Sequence, residues 1–224
     1  MGAMTSFPRT GGGTAQGYLA DASDPKAPGV VVIQEWWGLQ GQIRSMCDRL
    51  GAAGFHALAP DLFGGKVIPY HDKAAASAAM AALDFKASTD EAVRGAVTFL
   101  AARGGKVGLT GFCMGGAVTV IGAVRIPELS AAVTFYGLPP EGVAAAKDVR
   151  VPLQGHFASD DDWCTPEVVD DFERKLRGAG KVFELHRYQG HHAFMNSERK
   201  DAYGAEAAAL AWTRCVAFFK RYLG

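Results

Sequence analysis

Six short apolar runs alternate along the chain with segments that read as helices, and this alternation limits the fold more than any other feature. Val30-Val31-Val32-Ile33 is a continuous β-branched run between Pro28-Gly29 and Trp36-Trp37-Gly38, the pattern of a strand covered on both faces of a parallel sheet. Comparable runs recur at 55–59, 106–110, 131–136, 151–157 and 182–188. Residues 43–53 carry apolar positions at helical spacing, Ser88-Thr89-Asp90-Glu91 reads as a cap for a helix over 92–102, and Pro166 opens a helix through 176. The alanine-rich 74–82 reads equally as helix or mobile cover, within a cover segment spanning 64–85. The expectation is an α/β fold: a doubly wound, mostly parallel sheet with helices on both faces and its site at the carboxyl ends of the strands. With 224 residues, 49% of them hydrophobic, and with neither internal repeat nor linker, residues 1–224 are expected to form one domain.

Charge points to a small-molecule partner. Twenty-three basic residues balance twenty-three acidic ones, so no overall field gathers nucleic acid or an anionic membrane. Cys47, Cys113, Cys164 and Cys215 are widely spaced and form no C-x-x-C pair or zinc pattern, so neither a disulfide framework nor a metal is expected. No cofactor is expected either. Met1-Gly2-Ala3-Met4 lacks the pattern of a signal peptide and resembles a cloning remnant before a second start, and no apolar run reaches the ~18 residues a membrane helix needs. A cytoplasmic protein, monomeric or weakly homo-oligomeric, is the expectation.

The chemistry concentrates at Gly111-Phe112-Cys113-Met114-Gly115-Gly116, between the run at 106–110 and a small-residue helical stretch from Ala117. In such a G-x-C-x-G turn the glycines let a strand reverse into a helix, leaving the central side chain projecting at the sheet's edge. The helix amino end favours thiolate over thiol, and the Met114 N–H is placed to hold an oxyanion. A lone cysteine is commonly just a small buried hydrophobe; the flanking glycines point to a nucleophile.

A thiolate needs a base, and a base needs an orienting acid. Ser159-Asp160-Asp161-Asp162-Trp163 follows the run at 151–157, and Gly190-His191-His192-Ala193-Phe194 follows the run at 182–188. This is the chain order nucleophile, acid, histidine. His192 is favoured over His191 because the following Ala-Phe lets the loop tuck an aromatic inward. His56 and His186 fall within strands, and His71 and His156 have weaker claims. Asp161 is favoured as the acid, with Asp162 next. Glu35, after the run at 30–33, is either a surface or capping charge or an active-edge carboxylate that meets Cys113; the Trp36 N–H would then be a second oxyanion donor. Core packing accounts for one of the two tryptophans. Trp37, Phe194 and Asn196 are assigned to substrate binding.

Gln34-Glu35 with Gly38, Ala59-Pro60-Asp61-Leu62, the cysteine-centred turn and His192-Ala193-Phe194 together resemble the dienelactone hydrolase (carboxymethylenebutenolidase) family of the α/β hydrolase superfamily, over about 16–223. The resemblance implies a Cys-Asp-His triad at Cys113, Asp161 and His192, backbone donors at Trp36 and Met114, and a glutamate, Glu35, that holds the thiol at rest until substrate binds. It implies a cysteine-dependent hydrolase of small carboxylic esters or lactones. A thiol acyltransferase or peptidase on the same scaffold, or an inactive binding protein of this fold, are the alternatives. Two departures stand out. The arginines that clamp the substrate carboxylate in dienelactone-cleaving members are missing: Met195-Asn196 occupies one place, and 61–90 holds only Lys66, Lys73 and Lys86 as cations besides histidine, none with the planar fork of an arginine. The acid loop also carries one residue more before Pro166 than the family's usual spacing, which leaves Asp162 open.

Overall fold

The computed structural model describes all residues, 1–224. One eight-stranded sheet runs through the molecule: β1 (Ala3–Pro8), β2 (Thr14–Ala20), β3 (Gly29–Ile33), β4 (His56–Pro60), β5 (Val107–Phe112), β6 (Leu129–Phe135), β7 (Leu153–Asp160) and β8 (Phe183–His191), in the order β1-β2-β4-β3-β5-β6-β7-β8. The first three in that order pair antiparallel and the remaining pairs are parallel. Helices α1 (Gly41–Ala52), α2 (Lys73–Ala81), α3 (Phe85–Ser88), α4 (Arg94–Ala101), α5 (Met114–Arg125), α6 (Pro166–Gly178) and α7 (Ala205–Leu223) lie between or after the strands.

Strand periodicity sorts the core into layers. In β3, Val30 and Val32 join Ile43, Met46 and Leu50 of α1 and Phe218 and Phe219 of α7. Val31 and Ile33 point the other way, into Val97 and Leu100 of α4 and Val118 of α5. Alternate residues thus serve opposite faces, which is why the run is apolar throughout. Each such side chain, fully withdrawn from water, contributes about 1.5–3 kcal/mol. No helix is long and apolar enough to cross a membrane.

Ala3 and Met4, in the stretch likened to a cloning remnant, belong to β1 and pair with Leu19 and Tyr18, and the Gly2 N–H donates to Asp48 Oδ1 at 2.7 Å. Other expectations need correction. The β1–β2 hairpin and α7 were not anticipated, because the hairpin is short of β-branched residues and the start of α7 is mostly alanine. Ser88 is no cap. The helical stretch starts at α3, where Asp84 Oδ1 accepts from the Ala87 N–H at 2.9 Å, and a π-helical turn, Thr89–Val93, joins it to α4. The alanine-rich cover is helix α2, with Asp72 as its N-cap.

Candidate active site

Five parallel strands, β3, β5, β6, β7 and β8, end on one side of the sheet, and the residues just past those ends line a single cavity of about 750 Å³. Glu35, Trp36, Cys113, Met114, Tyr136, Asp162 and His192 are among its walls.

Cys113 sits between β5 and α5 with φ +55° and ψ −118°. Its N–H donates to the Phe135 carbonyl at 3.0 Å, and its own carbonyl accepts from the N–H groups of Gly116 and Ala117 at 2.9 and 3.2 Å. The flanking glycines act through close packing, since neither has a positive φ. A Cβ on Gly111 would lie 2.1 Å from the Gly115 carbonyl oxygen, and one on Gly115 would lie 2.5 Å from the carbonyl oxygens of Ile33 and Gln34. Backbone atoms cannot yield as a flexible side chain can. Gly111→Ala is therefore expected to cost about 3 kcal/mol or more of stability, read as the urea midpoint; an unchanged midpoint would show that the turn relaxes freely.

Only Cys113, Tyr136 and Ala193 among the non-glycine residues have positive φ, and all three line the cavity. Such conformations cost roughly 1–3 kcal/mol each and persist where surrounding structure enforces them, typically at working sites.

Asp161 follows β7 and His192 follows β8. The Asp161 carboxylate oxygens lie 3.0 and 2.9 Å from His192 Nδ1, and Oδ1 also accepts from the N–H groups of Trp163 and Cys164 at 2.8 and 3.0 Å. The Asp161 side chain has no exposed surface and that of His192 is 18% exposed. Burial pushes the Asp161 carboxyl up, but His192 and the two N–H donors hold it below its ordinary value. Burial likewise pushes the imidazole down, yet Asp161 and the neighbouring Cys113 sulfur raise it to about 10. The pairing places a proton on Nδ1, while the buried Nε2 has no hydrogen-bond partner. Cys113 and the ring line the same cavity, near enough for the sulfur to act on the imidazole electrostatically.

Asp162 lines the cavity without reaching His192, and His191 instead pairs with Asp160, at 2.9 Å, on the exposed rim. Glu35 is 2% exposed, with Oε1 accepting from the Tyr136 hydroxyl at 3.0 Å and Oε2 from Asn196 Nδ2 at 2.9 Å. Burial raises its carboxyl pKa against the lowering effect of Asn196, His192 and Tyr136. Trp36 donates its N–H to no other protein group. Met114 opens α5, where an N–H has no acceptor within its own helix. Trp37 is buried against Ile68 and Ala76, yet it too contributes to the cavity wall.

Two substrate-binding expectations require correction. Phe194 is fully buried between Tyr136 and Tyr188 and is not part of the wall. Asn196 is also outside it and holds Glu35. Of the three lysines, Lys73 alone reaches the cavity. His156 is buried in β7 between the Tyr188 hydroxyl and Gln154 Oε1, each at 2.8 Å, and His56 lies 2.8 Å from Asp21.

Several wall residues were missed. Tyr136 stands just past β6, a position that the rule placing sites at strand ends would have found. Trp163 packs edge-on to Trp36 with 5.7 Å between ring centroids and is 61% exposed. Arg199, paired with Asp201, comes from a loop with no local signal.

Residues 15–223 match the family model described as the dienelactone hydrolase family. The chain is 36% identical to Protein usf of Aquifex pyrophilus, over 100% of both chains. It is 34% identical, again over 100% of both, to an Aquifex aeolicus protein provisionally named carboxymethylenebutenolidase. A crystal structure from Klebsiella pneumoniae, provisionally titled a dienelactone hydrolase, superposes with a TM-score of 0.87 at 27% identity, covering 99% of this chain and 100% of the other.

Proposed function

This chain belongs to the dienelactone hydrolase family of carboxylic ester and lactone hydrolases, and we propose that it cleaves small esters or lactones through a Cys113 thioester. The observation that carries this reading is the buried Asp161–His192 pair beside the strained turn that presents Cys113. Asp161 fixes the imidazole tautomer, and His192 takes the thiol proton. The thiolate adds to the substrate carbonyl carbon, and the N–H groups of Trp36 and Met114 receive the charge that develops on its oxygen. Collapse of that adduct breaks the bond to the alkoxy oxygen, which leaves with the proton held by His192. A water molecule, deprotonated by the same ring, then hydrolyses the thioester and frees the acid and Cys113.

Glu35 regulates the thiol in this reading. Its carboxyl lines the same cavity, interacts electrostatically with His192 and is held by Tyr136 and Asn196. A buried negative charge there disfavours a second one on sulfur.

Alkylation tests both parts. One equivalent of iodoacetamide, located on Cys113 by peptide mass, is expected to abolish turnover of p-nitrophenyl acetate; turnover surviving complete modification would contradict the reading. Glu35→Gln is expected to hasten alkylation of Cys113 by about tenfold, about 1.4 kcal/mol in the barrier. Equal rates in the two proteins would remove Glu35 from control of the thiol.

A further inference from the structure

We infer that the cavity is divided by chemistry, and that its apolar limb along α5 selects esters with a medium-chain or aryl acyl group and a small polar leaving group. This inference rests on the hydrolytic reading above and names its substrate class.

From the nucleophile turn, Ala117 and then Ile121 follow at helical spacing and line the cavity. Ile121 lies eight positions along from Cys113, a span of about 12 Å in a helix. Ala117 is the one incompletely buried residue of α5 from Met114 to Ala123, so it is where the helix opens to the cavity. Leu138, packed against the cluster holding Val120 and Ala123, and Phe85, packed against the cluster holding Val118, flank the same helix and also line the cavity. Met80 of the cover and Val143, which is 50% exposed, add further apolar side chains, while Lys73, at the other end of the cover helix, acts electrostatically on Asp201 and so belongs with the charged groups.

The charged limb is built from other elements. Arg199 and Asp201 come from the segment after His192, and Asp162 stands beside the Asp161 loop. The leaving oxygen must face His192, because that ring protonates it. The alcohol portion therefore lies toward the charged limb, and the acyl portion, bonded to sulfur, extends along α5. Burying methylenes there favours the longer acyl chain.

Two ester series test this with the whole protein. In p-nitrophenyl esters from acetate to octanoate, kcat/KM is expected to rise about two- to fourfold per added methylene until the limb is filled. In alkyl acetates, lengthening the alcohol should give no such rise. Val143→Asp, at an exposed position, and Ala117→Phe, next to the sulfur, are each expected to lower the octanoate-to-acetate ratio of kcat/KM by about tenfold or more. A flat or falling acyl series with Cys113-dependent acetate turnover would overturn the inference and leave the hydrolytic reading standing. So would a rise confined to the alkyl acetates, or a ratio unmoved in both variants. Turnover of no ester at all would defeat both readings.

Discussion

Cys113→Ala is expected to lower kcat/KM for p-nitrophenyl acetate by about four to six orders of magnitude, to the level left by the oxyanion donors and the binding cavity alone. The sulfur supplies the only bond-forming atom in the proposed first step, so no partial substitute remains once it is gone. Its removal should affect the fold much less. Cys113 is incompletely buried, its turn is held by backbone hydrogen bonds to Phe135, Gly116 and Ala117, and alanine retains the Cβ. The melting temperature should therefore move by only a few degrees, about 1 kcal/mol in a chain of this size. Wild-type turnover by the alanine variant would take Cys113 out of the chemistry. Lost turnover accompanied by unfolding would instead mark the turn as a folding element.

Asp161→Asn carries the second large effect, an expected fall in kcat of about 10³ to 10⁴ with the fold intact. The asparagine carbonyl oxygen can still accept from Trp163 and Cys164, whose N–H groups now lie 2.8 and 3.0 Å from Asp161 Oδ1. Its amide N–H₂ then faces His192 Nδ1. That donor favours the imidazole tautomer with its proton on Nε2, the nitrogen that has to accept one from sulfur. The imidazolium is weakened as well, because Asp161 is a principal reason that His192 is raised to about 10. Asp162→Asn should cost less than about tenfold, since Asp162 makes no contact with the ring. His191, paired with Asp160 on the rim, should likewise be tolerant of change. If Asp162→Asn proved the crippling substitution, the acid would have to move by one residue.

The parts of this site that were legible in sequence are those set by local chain chemistry. Cys113 was marked by a strand, close-packed glycines and a helix start, all within one short stretch. Asp161 and His192 were marked by their places just beyond strand ends, although choosing among neighbouring carboxylates and histidines depended on register. Asp160 and His191 pair directly across β7 and β8, which leaves the residue after each to turn inward together. Phe194 and Asn196 were misassigned to the substrate wall: Phe194 tucks inward onto Tyr136 and Tyr188, as the Ala-Phe pair implied, and Asn196 is taken up by Glu35, a partner 161 residues away. Glu35 was legible as a strand-end carboxylate, but its partners, Tyr136 and Asn196, stand 101 and 161 residues away. The apolar limb was hidden for the same reason: it joins α5 to the cover and to the loop after β6. For the sheet, the buried strands announced themselves through continuous β-branched runs. The edge hairpin has too few such residues, and α7 begins as an alanine-rich stretch whose buried face becomes clear only against β5 and β6.

A covalent link between substrate and Cys113 is the central claim. Protein mixed with excess p-nitrophenyl acetate, quenched in acid within the first turnover and digested, should yield the peptide containing Cys113 heavier by one acetyl group and no other acylated peptide. An acetyl group on a different residue under those conditions, or rapid ester turnover with the Cys113 peptide never modified, would contradict the account.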